Sequence, residues 1–326
     1  MPRTVLQANH LSRDEMPEFE LIESQTDEDG PGGLFHSRAF FDLHAGAEAR
    51  FFSWVRKSRV LARVHYTRTE PELWRSPARG TFAGYASHPA LSLEGLLGFH
   101  DAVMARLNGD AAARFEVLPA PSAHDPAAFA NEVYVLRSRG FDVARCDLNH
   151  SLAVNALPLT ERMDYGELKR SRKCRREGLV AEPLPHSDLD AVHAMLVENR
   201  ASKGRALSMS LPQLRTMATR FTDKIHLFGA RDGDTLAAAA VCMRLSVRTM
   251  YVFMWGDKAA YAQHSPVVLL AEAIYAHCQT AGIELLDVGT STEDTEANFG
   301  LIRFKRGLGF TESLKLCLRR DPGKND

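Results

Sequence analysis

The sequence predicts an α/β (α+β) protein made of two similar halves, each a mixed, mostly antiparallel sheet flanked by helices. Three observations carry this expectation. The chain has 326 residues, which suits two domains of ordinary size better than one core. Strand-length apolar runs and helical periodicities succeed one another as hairpin, strand, helix, strand, helix, strand, and that order occurs twice. The segments FANEVYVLRSRGFDVARCDLNHSL and ANFGLIRFKRGLGFTESLKLCL share a helix, a Gly-Phe turn and a strand at similar spacing. We read an internal duplication. The boundary falls near Asn155-Ala156-Leu157-Pro158, giving a first half of residues 1–155 and a second of 156–326.

In the first half, residues 1–34 are polar and end in a loop, TDEDGPGG, with a strand at Phe19–Glu23. A short helix over His36–His44 turns Phe40, Phe41 and Leu43 inward. Two strands follow around a tight turn at Arg56-Lys57-Ser58, the second alternating at Val60, Ala62, Val64 and Tyr66. Gly80–Ala86 is a strand candidate, Leu91–Leu107 a helix and Ala113–Leu118 a strand. A helix over Ala127–Arg139 then leads through Gly140-Phe141 into a strand ending at Leu152.

The second half opens with a basic helix, LKRSRKCRREG. A helix beginning at Ser187-x-x-Asp190, spaced like a capping box, ends at Lys203-Gly204. Lys224–Ala230 and Thr235–Leu245 form a hairpin around Asp232-Gly233-Asp234, a strong turn signal. Arg248–Trp255 is the next strand. Ser265-Pro266 reads as a helix start with Ser as N-cap, and Gly282 closes that helix. A buried strand over Ile283–Val288, a polar loop over Thr290–Glu296, a helix from Asn298 to Arg306 and a last strand over Glu312–Leu318 complete the chain.

Composition narrows the function. Hydrophobic residues make up 45% and charged residues 25%, as in globular proteins. A formal net charge of -1 argues against a generally basic, nucleic-acid-binding surface while allowing a local basic patch. The five cysteines are scattered with no C-x-x-C pair, which gives no zinc signature and fits a reducing compartment. The 13 histidines do not cluster at ligand spacing, so no metal is expected. No apolar run approaches the ~20 residues of a membrane span, and no signal peptide is visible, so the expected location is the cytoplasm.

Four stretches are candidate sites. Lys169, Arg172, Lys173 and Arg176, with Lys-Arg neighbours on the same helix, are either solvated cations near a helix C-terminus or an electropositive rim for a phosphate-rich donor. Asn199, Arg200 and Lys203 end a helix in the ordinary way, or border a binding cleft. In the loop, Thr295 reads as a helix cap, while Asp287, Glu293 and Asp294 are candidates to accept a proton from an attacking amine. Thr290 and Asn298 belong to the same loop. Phe304 is core by type, and Lys305 is either a surface charge or a cation positioned to stabilise a developing oxyanion. Arg303 adds a cation beside them. Tyr251 and Trp255 lie on a strand leading toward this region, as core or as aromatic platforms for an acceptor.

The run NFGLIRFKRGLGF resembles the N/P-x-G-x-x-x-F-K-x-G-F/L-G signature of Fem-type aminoacyl transferases. With the preceding LLDVGTSTEDTEANFG, it is closer still to the Fem-like branch of the GNAT superfamily of N-acyltransferases. The resemblance implies two tandem GNAT-like halves. It implies transfer of an acyl or aminoacyl group to an amine by direct attack, with Phe304-Lys305 at the donor's reactive end. The basic helix, and the segment from Asn199 to Gly204, would border the donor and acceptor. No tightly bound cofactor is implied; the co-substrate would be acyl-CoA or aminoacyl-tRNA. The acceptor would be a cell-wall-type or small-molecule amine, with tRNA a possible partner. Acyl-CoA members of the superfamily carry a Gly-rich loop that cradles pyrophosphate, whereas GDKAAYAQHSPVV has only Gly256. The first half has no counterpart to the Thr290 loop or to Lys305 and is expected to be inert. The rival reading is a non-catalytic GNAT-like protein whose basic helix docks nucleic acid or a carrier.

Overall fold

A computed structural model describes residues 19–23, 30–46, 48–107, 113–293 and 295–323. Part of the predicted loop before Gly30, and the candidate Asp294, lie outside the described residues. The first half runs β1 (Glu20–Glu23), α1 (Arg38–His44), β2 (Ala49–Arg56), β3 (Arg59–Glu70), β4 (Leu73–Ser76), β5 (Ala86–Ser87), α2 (Leu93–Leu107), β6 (Arg114–Val117), α3 (Pro126–Ser138) and β7 (Asp142–Ala153). In the second half, α4 (Tyr165–Arg176), β8 (Val180–Leu184), α5 (Leu189–Ala201) and α6 (Leu211–Arg220) precede the strands β9 (Ile225–Asp232), β10 (Thr235–Arg244) and β11 (Thr249–Asp257). Then come α7 (Val267–Thr280), β12 (Leu285–Thr290), the short strands β13 (Thr292–Glu293) and β14 (Glu296–Ala297), α8 (Phe299–Gly307) and β15 (Thr311–Arg320).

The expected mixed, mostly antiparallel sheet with flanking helices is present, and the two halves share it. Among the described residues, thirteen strands form one sheet, ordered β1-β2-β3-β4-β6-β15-β7-β12-β11-β10-β9-β8, with β5 beside β3. The last strand of each half is placed against the other half. β15 pairs with β6 (Leu318 opposite Val117), β7 pairs with β12 (Leu285 opposite Ala153), and the two exchanged strands pair with each other around Leu314 and Leu148. Alternation makes this possible: Leu148 and Leu152, like Leu316 and Leu318, fall on one face, and polar residues fall on the other.

Apolar side chains fill both faces. Phe52, Val64, Phe99, Phe115 and Leu136 pack under α2 and α3 in the first half. Phe228, Ile274, Tyr275 and Leu286 pack under α7 in the second. A third cluster draws on both halves, joining Phe35, Phe40 and Phe82 to Leu196, Leu214 and Tyr251. Each fully buried side chain of this size stabilises the fold by roughly 1.5–3 kcal/mol, so the shared cluster binds the halves together. Among the described residues, no helix is long and apolar enough to cross a membrane.

Local expectations fail where a side chain or a neighbouring strand overrides the pattern. Residues 80–85 are not strand; Ala83 only bridges to Pro119, and the strand of this region is β4, whose four residues sit between Pro71 and Pro77 and give too short a signal. Ser265 does not cap α7: its φ is +54°, and Pro266 holds the cap position. Ser187 and Asp190 form no capping box, because a 3-10 turn over His186–Asp188 leads directly into α5 and Asp190 pairs with Arg215. Thr295 sits in the β13–β14 turn at φ +72°, and the cap of α8 is Asn298, whose side chain accepts from Leu301 N–H at 3.0 Å.

Candidate active site

The two parallel strands of the second half separate. β11 and β12 pair only over Thr249–Tyr251 and Leu285–Asp287; beyond that they diverge and leave a wedge-shaped cleft of about 710 Å³. The cleft is lined by β11 from Tyr251 to Asp257, by β12 from Val288 to Thr290, and by Phe304 and Lys305 of α8. In the first half, the equivalent strands β4 and β6 pair along all of β4, and Ala83 N–H extends the contact to Leu118 O at 2.8 Å. Residues 80–86 thus occupy the space that is open in the second half.

Lys305 lies at the floor of the cleft with 1% exposure. Its Nζ donates to Gly289 O and Thr290 O, both at 2.8 Å, so it pins the end of β12 and keeps a third N–H for the cleft. Burial pushes the amine down to about 7, against the opposing pull of the Asp287 carboxylate. Phe304 is half-buried, its ring 6.1 Å from Trp255.

Asp287 is beneath the cleft, fully buried. Its Oδ2 accepts from His124 Nε2 at 2.6 Å and from Asn149 Nδ2 at 3.1 Å, and its Oδ1 accepts from Gly289 N–H at 2.6 Å. Burial favours the neutral acid, but the hydrogen bond and charge of His124, with Gly289 N–H and the Asn149 amide, outweigh it and hold the carboxyl below its usual range. His124 comes from the loop between β6 and α3, just before Asp125, the N-cap of α3.

The rim is basic. In α4, Arg170 pairs with Glu167, Arg175 with Glu272 at 2.6 Å, and Lys173 with Glu177 at 3.9 Å. Lys169, Arg172 and Arg176, at i, i+3 and i+7, share one face and make no ion pair among the described residues. Tyr165, 78% exposed, continues that face. The C-terminal end of α4 reaches the cleft: Cys174 Sγ donates to His264 O at 2.9 Å, next to Ser265, which lines the opening. At the start of α7, Val268 and Leu269 N–H donate to Ser265 O and Pro266 O, each at 3.0 Å. These amides are satisfied within the chain.

Residues 167–306 match the family model for an acetyltransferase (GNAT) domain. The matched region lies entirely within the second half of the chain. Over the whole chain, the fold is similar to those of three solved structures. A crystal structure of FemX superposes with a TM-score of 0.69 at 11% identity, covering 89% of this chain and 92% of that one. The C-terminal domain of a putative lysylphosphatidylglycerol synthetase from Agrobacterium fabrum gives 0.57 at 13% identity, covering 80% and 81%. L-PGS from Bacillus licheniformis gives 0.55 at 10% identity, covering 85% of each. Among curated proteins, none matches this sequence.

Within the matched region the predicted residues divide into three groups. Tyr251, Trp255, Thr290, Asn298, Phe304 and Lys305 line the wedge, joined by Arg200 and Lys203 from the end of α5. Lys169, Arg172, Lys173, Arg176 and Arg303 lie outside it, on helices α4 and α8. Asp287 and Asn199 are buried and occupied by the protein's own groups. Asn199 donates to Asp257 O at 2.6 Å and packs so closely on Gly256 that a Cβ there would lie 2.5 Å from its Oδ1. Sequence reasoning missed His124, Asn149 and Arg205. The only sequence signal at His124 is the following Asp-Pro helix start, and nothing local connects it to Asp287.

Proposed function

We propose that the protein is an N-acyltransferase that holds an activated acyl group in the β11–β12 wedge and transfers it to an amine by direct attack. The observation that carries this reading is the open wedge with the Lys305 ammonium at its floor. A cation with one N–H left, in a site partly closed to water, stabilises the oxyanion that forms as nitrogen adds to the carbonyl. Fully engaged carbonyl partners hold that cation in place before the reaction, so little reorganisation is needed.

Between the two donor classes, aminoacyl-tRNA is the better match. A coenzyme A pyrophosphate would need free amides at the start of α7, and those of Val268 and Leu269 are already bonded to Ser265 and Pro266. The Lys169, Arg172 and Arg176 stripe with Tyr165 offers what a nucleic-acid backbone takes: spaced cations and an exposed ring. The acceptor is an amine. Binding of acetyl-CoA, free CoA and a charged-tRNA mixture, compared by calorimetry and followed by transfer of the labelled acyl group, tests the reading. Charged tRNA should bind saturably, weaken with salt and donate its aminoacyl group. Saturable acetyl-CoA binding with acetyl transfer would reassign the donor, and binding of tRNA without any transfer would favour the docking protein.

A further inference from the structure

The seam between the halves encloses a second cavity, of about 310 Å³. Phe35, Phe82 and Phe129 form much of its apolar wall, and its polar lining includes His36, His124, Asp125, Glu132 and Arg248. His124 lines this cavity and is tied to the second half through Asp287. Its partner Asp287 is the residue at which the β11–β12 pairing stops, so the pair marks the apex of the wedge. The Phe82 ring meets the His124 ring edge-on at 5.1 Å and the Tyr251 ring at 6.0 Å, and Thr81 Oγ1 donates to Tyr251 Oη at 3.4 Å. One pair of rings therefore separates His124 from the wedge lining.

The bonding of His124 differs from that of a packing histidine. When the ring is neutral, the Nε2 hydrogen goes to Asp287 Oδ2 and the lone pair is on Nδ1. Nδ1 has no hydrogen-bond partner among the described residues, and the ring borders the cavity. By comparison, His36 on the opposite wall has both nitrogens engaged, with Ala83 O at 2.9 Å and Gly33 N–H at 3.3 Å. The other titratable groups lining the cavity are Asp125, which caps α3, Glu132, whose carboxyl burial pushes up to about 8, Tyr85, whose phenol burial keeps neutral, and Arg248, which pairs with Glu284 at 2.7 Å. Lys305 lies beyond Asp287.

Resting on the acyl-transfer reading above, we propose that His124, oriented by Asp287, takes the proton from the acceptor amine, which approaches through this cavity. The amine nitrogen bonds to the acyl carbon as the bond from that carbon to the donor's leaving oxygen (sulfur, for a thioester) breaks. The electron pair goes to the leaving atom. The proton passes from nitrogen to His124 Nδ1 and then to the leaving atom, so the enzyme returns unchanged. Asp287 keeps its charge throughout and acts as a positioning residue.

The test compares wild type, His124→Ala and His124→Gln in steady-state transfer and in donor binding, with folding checked by melting. His124→Gln retains an N–H toward Asp287 and serves if the alanine variant is unstable. Both should lose kcat by about 10²–10³-fold with donor affinity unchanged. The acidic limb of the wild-type kcat/KM profile should vanish in both and persist in Glu132→Gln. Added imidazole, entering the cavity, should restore turnover to His124→Ala but not to His124→Gln. Wild-type turnover and pH profile in the His124 variants overturn the proposal, as does an activity loss that imidazole never restores. A wild type that transfers nothing instead brings down the acyl-transfer reading and this proposal with it.

Discussion

Lys305 does two things at once, and a substitution must separate them. It is the only tie between α8 and the two carbonyls at Gly289 and Thr290 that the described hydrogen bonds provide, and it is the cation nearest the wedge floor. Lys305→Met keeps the chain length and removes both the charge and the donors. We expect kcat to fall by about 10²–10³-fold, with a modest loss of stability from two carbonyls left without donors. The pH dependence of stability isolates the charge. The folded amine titrates at about 7 and the unfolded one near 10.5, so between those values the unfolded chain binds the extra proton. Stability from this group is therefore complete above 10.5, declines as pH falls, and is gone below about 7. Chemical denaturation across pH 6–10 should show that rise in wild type and a flatter profile in Lys305→Met; equal slopes would remove the burial argument. Phe304 and Lys305 were legible because one short motif names both. His124 was not, since its meaning depends on a carboxylate 163 residues away.

Helix α4 sorts its cations by partner. Arg170, Lys173 and Arg175 are held by Glu167, Glu177 and Glu272, while Lys169, Arg172 and Arg176 are left to solvent on one face. Sequence reasoning found the cluster and could not divide it, because two of the three acidic partners stand on α4 or just past its end and the third stands on α7. If the stripe follows a phosphate backbone, reversing Arg172 and Arg176 to Glu should weaken charged-tRNA binding at least tenfold. It should also reduce the slope of log K against log salt by about two. Arg175→Gln, which breaks an internal pair, should change stability more than affinity. Unchanged salt dependence in the double reversal would dissociate the stripe from nucleic-acid binding. Most helices and hairpins were readable from periodicity and turn residues, including the tight turn at Arg56-Lys57-Ser58, which the structure makes left-handed at Lys57 and Ser58, while β8 and α6 were not. The openings were not: whether parallel strands part, as β11 and β12 do, or stay closed, as β4 and β6 do, depends on what a distant loop inserts between them.

At the scale of the molecule, the duplicated order of elements was visible, yet the exchange of final strands was not. β7 and β15 carry similar alternating patterns, and a strand's pattern fixes which face it buries without naming the strand beside it. The exchange predicts strong coupling. Calorimetry of the whole chain should show one unfolding transition, and residues 156–326 expressed alone should associate or aggregate, having lost β6 and β7 as partners for β15. Two resolved transitions, or a monomeric and cooperatively folded second half, would contradict this. The same feature sets an order during synthesis. β15, translated after every other described strand, takes a place in the middle of the sheet, between β6 and β7. Until it arrives, β6 and β7 keep open edges, and Asn149 and His124 wait for a carboxylate that is translated long after them. A chain cut before Thr311 would therefore damage both halves at once, although the missing strand belongs by sequence to the second.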